Sequence, residues 1–116
     1  MKCNIMLKLD NWNDIINNNR VNKYLANSHK QHEMSDISWF VRHLPQIQKY
    51  PVEIVFKWHI KNSRCDLDNK SIKSILDCMQ NEGILKNDNI NHINKITHIA
   101  IKDTEEYVEM EIIESR

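Results

Sequence analysis

Glycine is nearly missing from this chain: Gly83 stands alone among 116 residues, and there are only two prolines. An all-β domain with many tight turns needs more of both, so long helices and a few long strands are the expectation. Cysteine is scarce as well. Cys3, Cys65 and Cys78 are odd in number and unclustered, unlike the dense, even frameworks of small secreted domains, so reduced thiols are expected. There is no CxxC, and of the six histidines only His29 and His32 sit close enough to share a helical face, which leaves the usual zinc-ligand spacings absent. No window holds the ~18 uninterrupted apolar residues of a membrane helix and no basic-then-apolar leader opens the chain, so a cytoplasmic location is expected.

An excess of charge is also missing, since 16 Lys and Arg balance 16 Asp and Glu, whereas phosphate contacts normally draw on surplus cations. The distribution is less even than the sum. Residues 1–64 hold 10 basic against 5 acidic side chains and residues 65–116 hold 6 against 11, so one half of the chain is suited to face phosphates. With 41% hydrophobic and 28% charged residues the chain is apolar enough to fold. Its length fits a single domain spanning 1–116, and a domain of this size buries only about two-thirds of its unfolded surface, which makes pairing with a second copy plausible.

Periodicity lays out the elements. Cys3, Ile5, Leu7 and Leu9 alternate with polar neighbours as a half-buried strand requires, and a short helix follows from Trp12 until the asparagines at 17–19. A longer helix is predicted from about Leu25 to Leu44, with Met34, Ile37, Val41 and Leu44 on one side and Pro45 as its stop. The strongest strand covers 51–61, where Val52, Ile54, Phe56, Trp58 and Ile60 share a face. A third helix is predicted over 69–82, with Ile72, Ile75, Leu76 and Met79 at helical spacing and Gly83 as its left-handed cap. Strands at 93–101 and 105–113 are expected to form a hairpin, Glu109 and Glu111 guarding the sheet edge. Trp12, Trp39 and Trp58 fall in apolar patterns and are expected in the core. The fold class is α+β: a mixed sheet of about four strands packed against two to three helices.

Chemistry concentrates in Arg64-Cys-Asp-Leu-Asp-Asn69, where two carboxylates leave the end of a long strand. In extended backbone, side chains at i and i+2 share a face, so Asp66 and Asp68 can converge on one point. Two negative charges about 4 Å apart repel by roughly 4 kcal/mol at an effective dielectric near 20, and a divalent cation removes the conflict. Oxygen-only ligands favour Mg²⁺, with Mn²⁺ as a substitute, over zinc. A calcium loop is disfavoured because Lys70 and Ser71 stand where such a loop wants an oxygen ligand and then glycine. The blander alternative is that Asp68 only caps the third helix.

Asp66-Leu-Asp-Asn69, Lys73, Ile75-Leu-Asp77, Gly83-Ile84 and Asn87-Asp88, in that order and spacing, resemble the RusA-type Holliday junction resolvases, a family common in phages and prophages. The likeness extends over about residues 10–93 and includes the looser stretch Asn19-Arg-Val-Asn-Lys-Tyr24. It implies a homodimeric, Mg²⁺-dependent endonuclease that resolves four-way DNA junctions by paired nicks, in the bacterial host cytoplasm if the chain is phage-encoded. By position, the family's metal-binding catalytic aspartates fall on Asp66, Asp68 and Asp88, with Asn87 where the family usually has a further acid. The family's essential lysine falls on Lys73 when counted back from Ile75-Leu-Asp77; counting forward from Asp68 gives Ile72, so the assignment implies a one-residue insertion and Lys70 is the runner-up. Asn69 and Asp77 take supporting positions, Asn69 fixing the turn and Asp77 orienting Lys73 from one helical turn away.

Arg20, Lys23, Lys61 and Arg64 are the candidates for backbone phosphate contacts, because they lie near element ends close to the acids in sequence. Two other readings stand beside the nuclease. Asn87, the displaced lysine and the zero net charge suit a catalytically inactive branched-DNA-binding protein of the same fold. An interaction protein with an incidental acidic loop needs neither metal nor DNA.

Overall fold

The structure is a computed structural model that describes residues 1–6, 34–61 and 72–115. Along the chain these give β1 (Lys2–Ile5), a helix α1 over 34–41, β2 (Val52–Ile60), α2 (Lys73–Asn81), β3 (Ile93–Lys102) and β4 (Tyr107–Ile113). The four strands make one mixed sheet in the order β1-β4-β2-β3, with two helices, an α+β architecture. The first predicted helix, the start of the second and the Arg64–Asn69 stretch lie outside the described residues.

β2 organises the domain. Its nine residues carry an unbroken β-branched and aromatic alternation, and the even-numbered set from Val52 to Ile60 is buried, as a strand with one face on the core requires. β4 answers with Val108, Met110 and Ile112, all buried and paired opposite Trp58, Phe56 and Ile54. Ile5 and the partly buried Cys3 extend the same face across β1, opposite Val108 and Met110. Both helices cover this face. α1 contributes Ile37 and Val41, fully buried, and α2 contributes Ile75, Leu76, Cys78 and Met79. Two thiols tie α1 down: Cys3 Sγ donates to the Phe40 carbonyl at 3.2 Å and Cys78 Sγ to the Met34 carbonyl at 3.1 Å. Burial raises the pKa of Cys3, which keeps it a thiol able to donate.

α2 ends as its sequence predicts. Gly83 takes φ +74°, its N–H bonds the Gln80 carbonyl at 3.1 Å, and the Ile84 N–H bonds the Met79 carbonyl at 2.9 Å. This paired pattern satisfies the last carbonyls of the helix and buries Ile84 beside Met79. Its beginning differs from the expectation. The helix starts at Lys73, with Ile72 at the cap position and no side-chain cap bond; Asp68, the capping candidate, lies outside the described residues.

Two further expectations are corrected. β3 and β4 are consecutive but do not pair: β2 lies between them, parallel to β3 and antiparallel to β4. A short connection suggests a hairpin only when nothing better competes for the strand. Here β2, the most apolar strand, takes both neighbours and buries both its edges. Glu109 and Glu111 therefore sit on an interior strand, between β1 and β2, and not at a sheet edge. Trp39 is not in the core either. It is 59% exposed on α1, its ring stacked against the Arg42 guanidinium at 4.0 Å, because Ile37 and Val41 define the inward stripe and position 39 falls opposite it.

Candidate functional site

The unit β2-α2-β3 carries the acids. Two parallel neighbours joined by a helix form a crossover, and the polypeptide between β2 and α2 is where Asp66 and Asp68 stand, while the one between α2 and β3 holds Asp88. Asp66, Asp68, Asn69, Lys70, Arg20, Lys23 and Arg64 lie outside the described residues. Asp88, Lys73, Asp77 and Lys61 lie within them.

Asp88 sits on an exposed loop of polar residues whose shape is set by asparagines. The Asn87 Oδ1 accepts the N–H groups of Asp88 at 2.7 Å and Asn89 at 3.3 Å, and the Asn89 Oδ1 accepts the Asn91 N–H at 3.1 Å. Asn89 Oδ1 also meets His92 Nδ1 at 2.7 Å. These local bonds replace secondary structure. They give Asn87 a structural task at the position where the resemblance expects an acid. The loop is anchored from below: Tyr50 Oη accepts the Lys86 N–H at 2.9 Å, its ring meets His92 edge-on at 4.8 Å, and the Val52 N–H bonds the His92 carbonyl at 2.8 Å. Asp88 itself is held at the N-terminal end of the parallel pair, exposed to solvent.

That placement sets a geometric condition on any shared ion. The polypeptide leaves β2 at the opposite, C-terminal end, about 26 Å away for eight residue steps at roughly 3.3 Å each. Residues 61–68 can span that distance when extended, so Asp68 reaches Asp88 only if this stretch runs back along the sheet. Among the described residues no cluster of three or more His, Cys, Asp or Glu is arranged to hold a metal ion. Of the three aspartates, Asp88 alone lies among the described residues.

Lys73 is exposed at the first position of α2, and Asp77 is partly buried one turn further on. No ion pair joins them among the described residues. Lys61 is exposed immediately after β2, where its ammonium is free to meet solvent or an anion.

Sequence reasoning missed a second cluster altogether. On the face of the sheet away from the helices, His59 is 8% exposed, with Nδ1 2.8 Å from Asp103 Oδ2 and Nε2 2.8 Å from Glu109 Oε1. The Tyr107 ring stacks on it at 4.0 Å and 8°. The His59 bond, then the Thr104 N–H, hold the Asp103 carboxyl below the usual carboxylate range. Tyr107 is pushed up by desolvation first and then by Asp103, Glu109 and Glu105. Only the alternation in 51–61, which puts His59 opposite the apolar set, was legible in advance; partners 44 and 50 positions away were not. With both ring nitrogens engaged by carboxylates, this histidine is a structural tie and has no free nitrogen for a substrate.

A third polar contact lies on the core side. Trp58 Nε1 donates to His98 Nδ1 at 2.9 Å, and the two rings stack with Phe56. An indole N–H can only donate, so His98 accepts at Nδ1 and its ring is neutral there. Desolvation lowers its pKa in the same direction.

No helix among the described residues is long and apolar enough to cross a membrane. Comparison with known proteins finds no family model that matches the chain and no curated protein that matches it.

Proposed function

We propose that this chain is a Mg²⁺-dependent endonuclease that cuts branched DNA by paired nicks, acting as a homodimer. The observation that supports the reading best is the order of acids around α2 in the chain: Asp66 and Asp68 precede the helix and Asp88 follows it. Asp88 adds an exposed carboxylate after the same helix, on a loop whose asparagines hold its backbone in place. Asp66, Asp68 and Asp88 would hold the metal, which when bound activates water and offsets charge developing on the phosphate.

The remaining roles belong to cations. Lys73, exposed at the start of α2, neutralises a phosphate oxygen, with Lys70 as the alternative; Asp77, one turn further on, makes no ion pair with it and keeps only a supporting position. Asn69 fixes the backbone between the acids and the helix. Arg20, Lys23, Lys61 and Arg64 contact backbone phosphates, which sets register without reading sequence. Two symmetric sites match two symmetric cuts.

Incubation with a synthetic four-way junction and Mg²⁺ or Mn²⁺, with linear duplex as control, tests the reading. Junction-selective cleavage lost in Asp68→Asn supports it. Absence of cleavage, or cleavage undiminished in that variant, overturns it. A second reading is motivated by Asn87, whose amide shapes the loop where the resemblance expects an acid: a protein that binds junctions and does not cut them. Salt-sensitive junction binding without product identifies that case.

A further inference from the structure

We propose that the free edge of β3 is the surface on which a second copy docks, the two β3 strands pairing antiparallel about a two-fold axis at Ile99. The inference shares with the proposed function only the second copy; it does not depend on nuclease chemistry.

β3 is the outer strand of the described sheet, ten residues long, bonded to β2 on one side. The Asp103 N–H bonds the Ile60 carbonyl, and pairing with β2 is regular from Glu53/Lys95 to Ile60/Lys102. Alternation then turns the backbone groups of odd-numbered residues toward β2 and those of Ile96, His98, Ala100 and Lys102 outward. Proteins normally protect such an edge with a proline, a bulge, a central lysine or a very short strand. β1, the other outer strand, is only four residues long and begins with Lys2. β3 has no such protection in its middle: residues 96–101 read Ile-Thr-His-Ile-Ala-Ile, with Ile96 42% and Ile99 40% exposed.

The edge is complementary to itself in one register. A two-fold axis perpendicular to the sheet keeps each face on its own side, so odd residues oppose odd. Centring the axis on Ile99 places His98 opposite Ala100 and Ile96 opposite Lys102 of the second copy, and every outward backbone group from Ile96 to Lys102 finds a partner. On the helix-free face Ile99 meets its own equivalent, Thr97 meets Ile101, and Lys95 meets Asp103. Lys95 is 66% exposed and holds Glu53 loosely, at 3.6 Å. Asp103 bonds His59 through Oδ2 and Thr104 through Oδ1, and a carboxylate accepts more than that. The register therefore joins Glu53, Lys95, Asp103, His59 and Glu109 into one line of polar contacts across two copies. Centring on His98 instead sets Lys95 against Ile101, and leaves that charge unanswered.

Sedimentation equilibrium on the full chain, with Ile99→Lys beside it, reads the association. Wild type is expected to dimerise reversibly, and the lysine, facing its own equivalent at an exposed position, to weaken dimerisation by at least about tenfold while the melting temperature of the monomer is unchanged. Mild oxidation of Ile99→Cys supplies geometry: a non-hydrogen-bonded antiparallel pair has Cβ atoms about 4.5–5.5 Å apart, so a disulfide between the two substituted positions should be found by peptide mapping. Ile96→Cys, opposite Lys102, should give none with itself, and wild type controls for the native thiols. A dimer insensitive to Ile99→Lys and without that cross-link overturns the interface and leaves a homodimer through another surface. A wild type monomeric up to about 1 mM, the weak limit of specific association, overturns both the interface and the homodimer. Junction cleavage on the same samples reports the nuclease separately.

Discussion

The Nδ1 of His59 lies 2.8 Å from the Oδ2 of Asp103, joining the C-terminal end of β2 to the turn after β3 across 44 positions. The bond lowers the pKa of Asp103, so the fold favours its charged form. Such a group contributes stability above its ordinary value of 3.8, and the contribution is lost as pH falls through the lowered one. Asp103→Asn is expected to melt below wild type near neutral pH and to converge with it in acid. Parallel melting curves toward pH 2 would contradict this. Tyr107 acts at the other end of the scale: its pKa is raised above 10.0, so its contribution is complete below that value and lost as pH rises beyond it. Tyr107→Phe should flatten the alkaline limb.

Trp58 and Trp39 are one residue type in opposite settings, 3% and 59% exposed. Trp58→Ala is expected to cost about 3–5 kcal/mol by leaving a cavity and an unanswered His98. Trp39→Ala should change stability by within about 0.5 kcal/mol, since only the Arg42 stacking is lost. Urea titrations of the two variants compare them directly, and equal losses would contradict the difference in burial.

His98 gives the neutral-pH region its slope. Burial lowers its pKa from 6.5 and the Trp58 N–H bond needs the neutral ring. The fold therefore holds this contribution above 6.5 and loses it as pH falls through the lowered value. Stability of wild type should decline between pH 7 and 5 more than that of His98→Gln, measured by chemical denaturation at each pH.

Among the described residues Gly83 is the one with a positive φ, +74°, and a Cβ built there meets nothing within 4 Å. Gly83→Ala isolates backbone strain from steric clash, and a loss of about 1 kcal/mol is expected from an L-residue in the left-handed region. A loss above roughly 3 kcal/mol, beyond backbone strain alone, would show that the loop to β3 depends on this cap for more than its conformation.

Asp88 is exposed and its neighbours' bonds run through Asn87 and Asn89, not through its own carboxylate. Asp88→Asn should therefore melt with wild type. If Asp88 holds the ion, junction cleavage should fall at least about 100-fold, and Mn²⁺ affinity measured by calorimetry should drop with it. Retained cleavage in this well-folded variant would remove Asp88 from the site.

The sequence by itself determined what depends on neighbours along the chain. The alternation in 51–61 became β2, the apolar spacing from Ile75 to Met79 became the buried side of α2, and the single glycine became its C-terminal cap. These signals were legible because a strand repeats every two residues and a helix every 3.6, and both repeats are local. Tertiary structure alone decided which strands pair, which tryptophan is covered and which histidine is buried. β2 separated β3 from β4, α1 turned Trp39 outward, and Asp103 with Glu109 closed around His59. The physical reason is competition: pairing and burial are won by the partner with the most apolar surface and backbone bonds to offer, wherever it lies along the chain. Asp66, Asp68 and Asp88 stand on that same divide, their types and order written in the sequence and their convergence depending on the path of the chain from β2 back to β3.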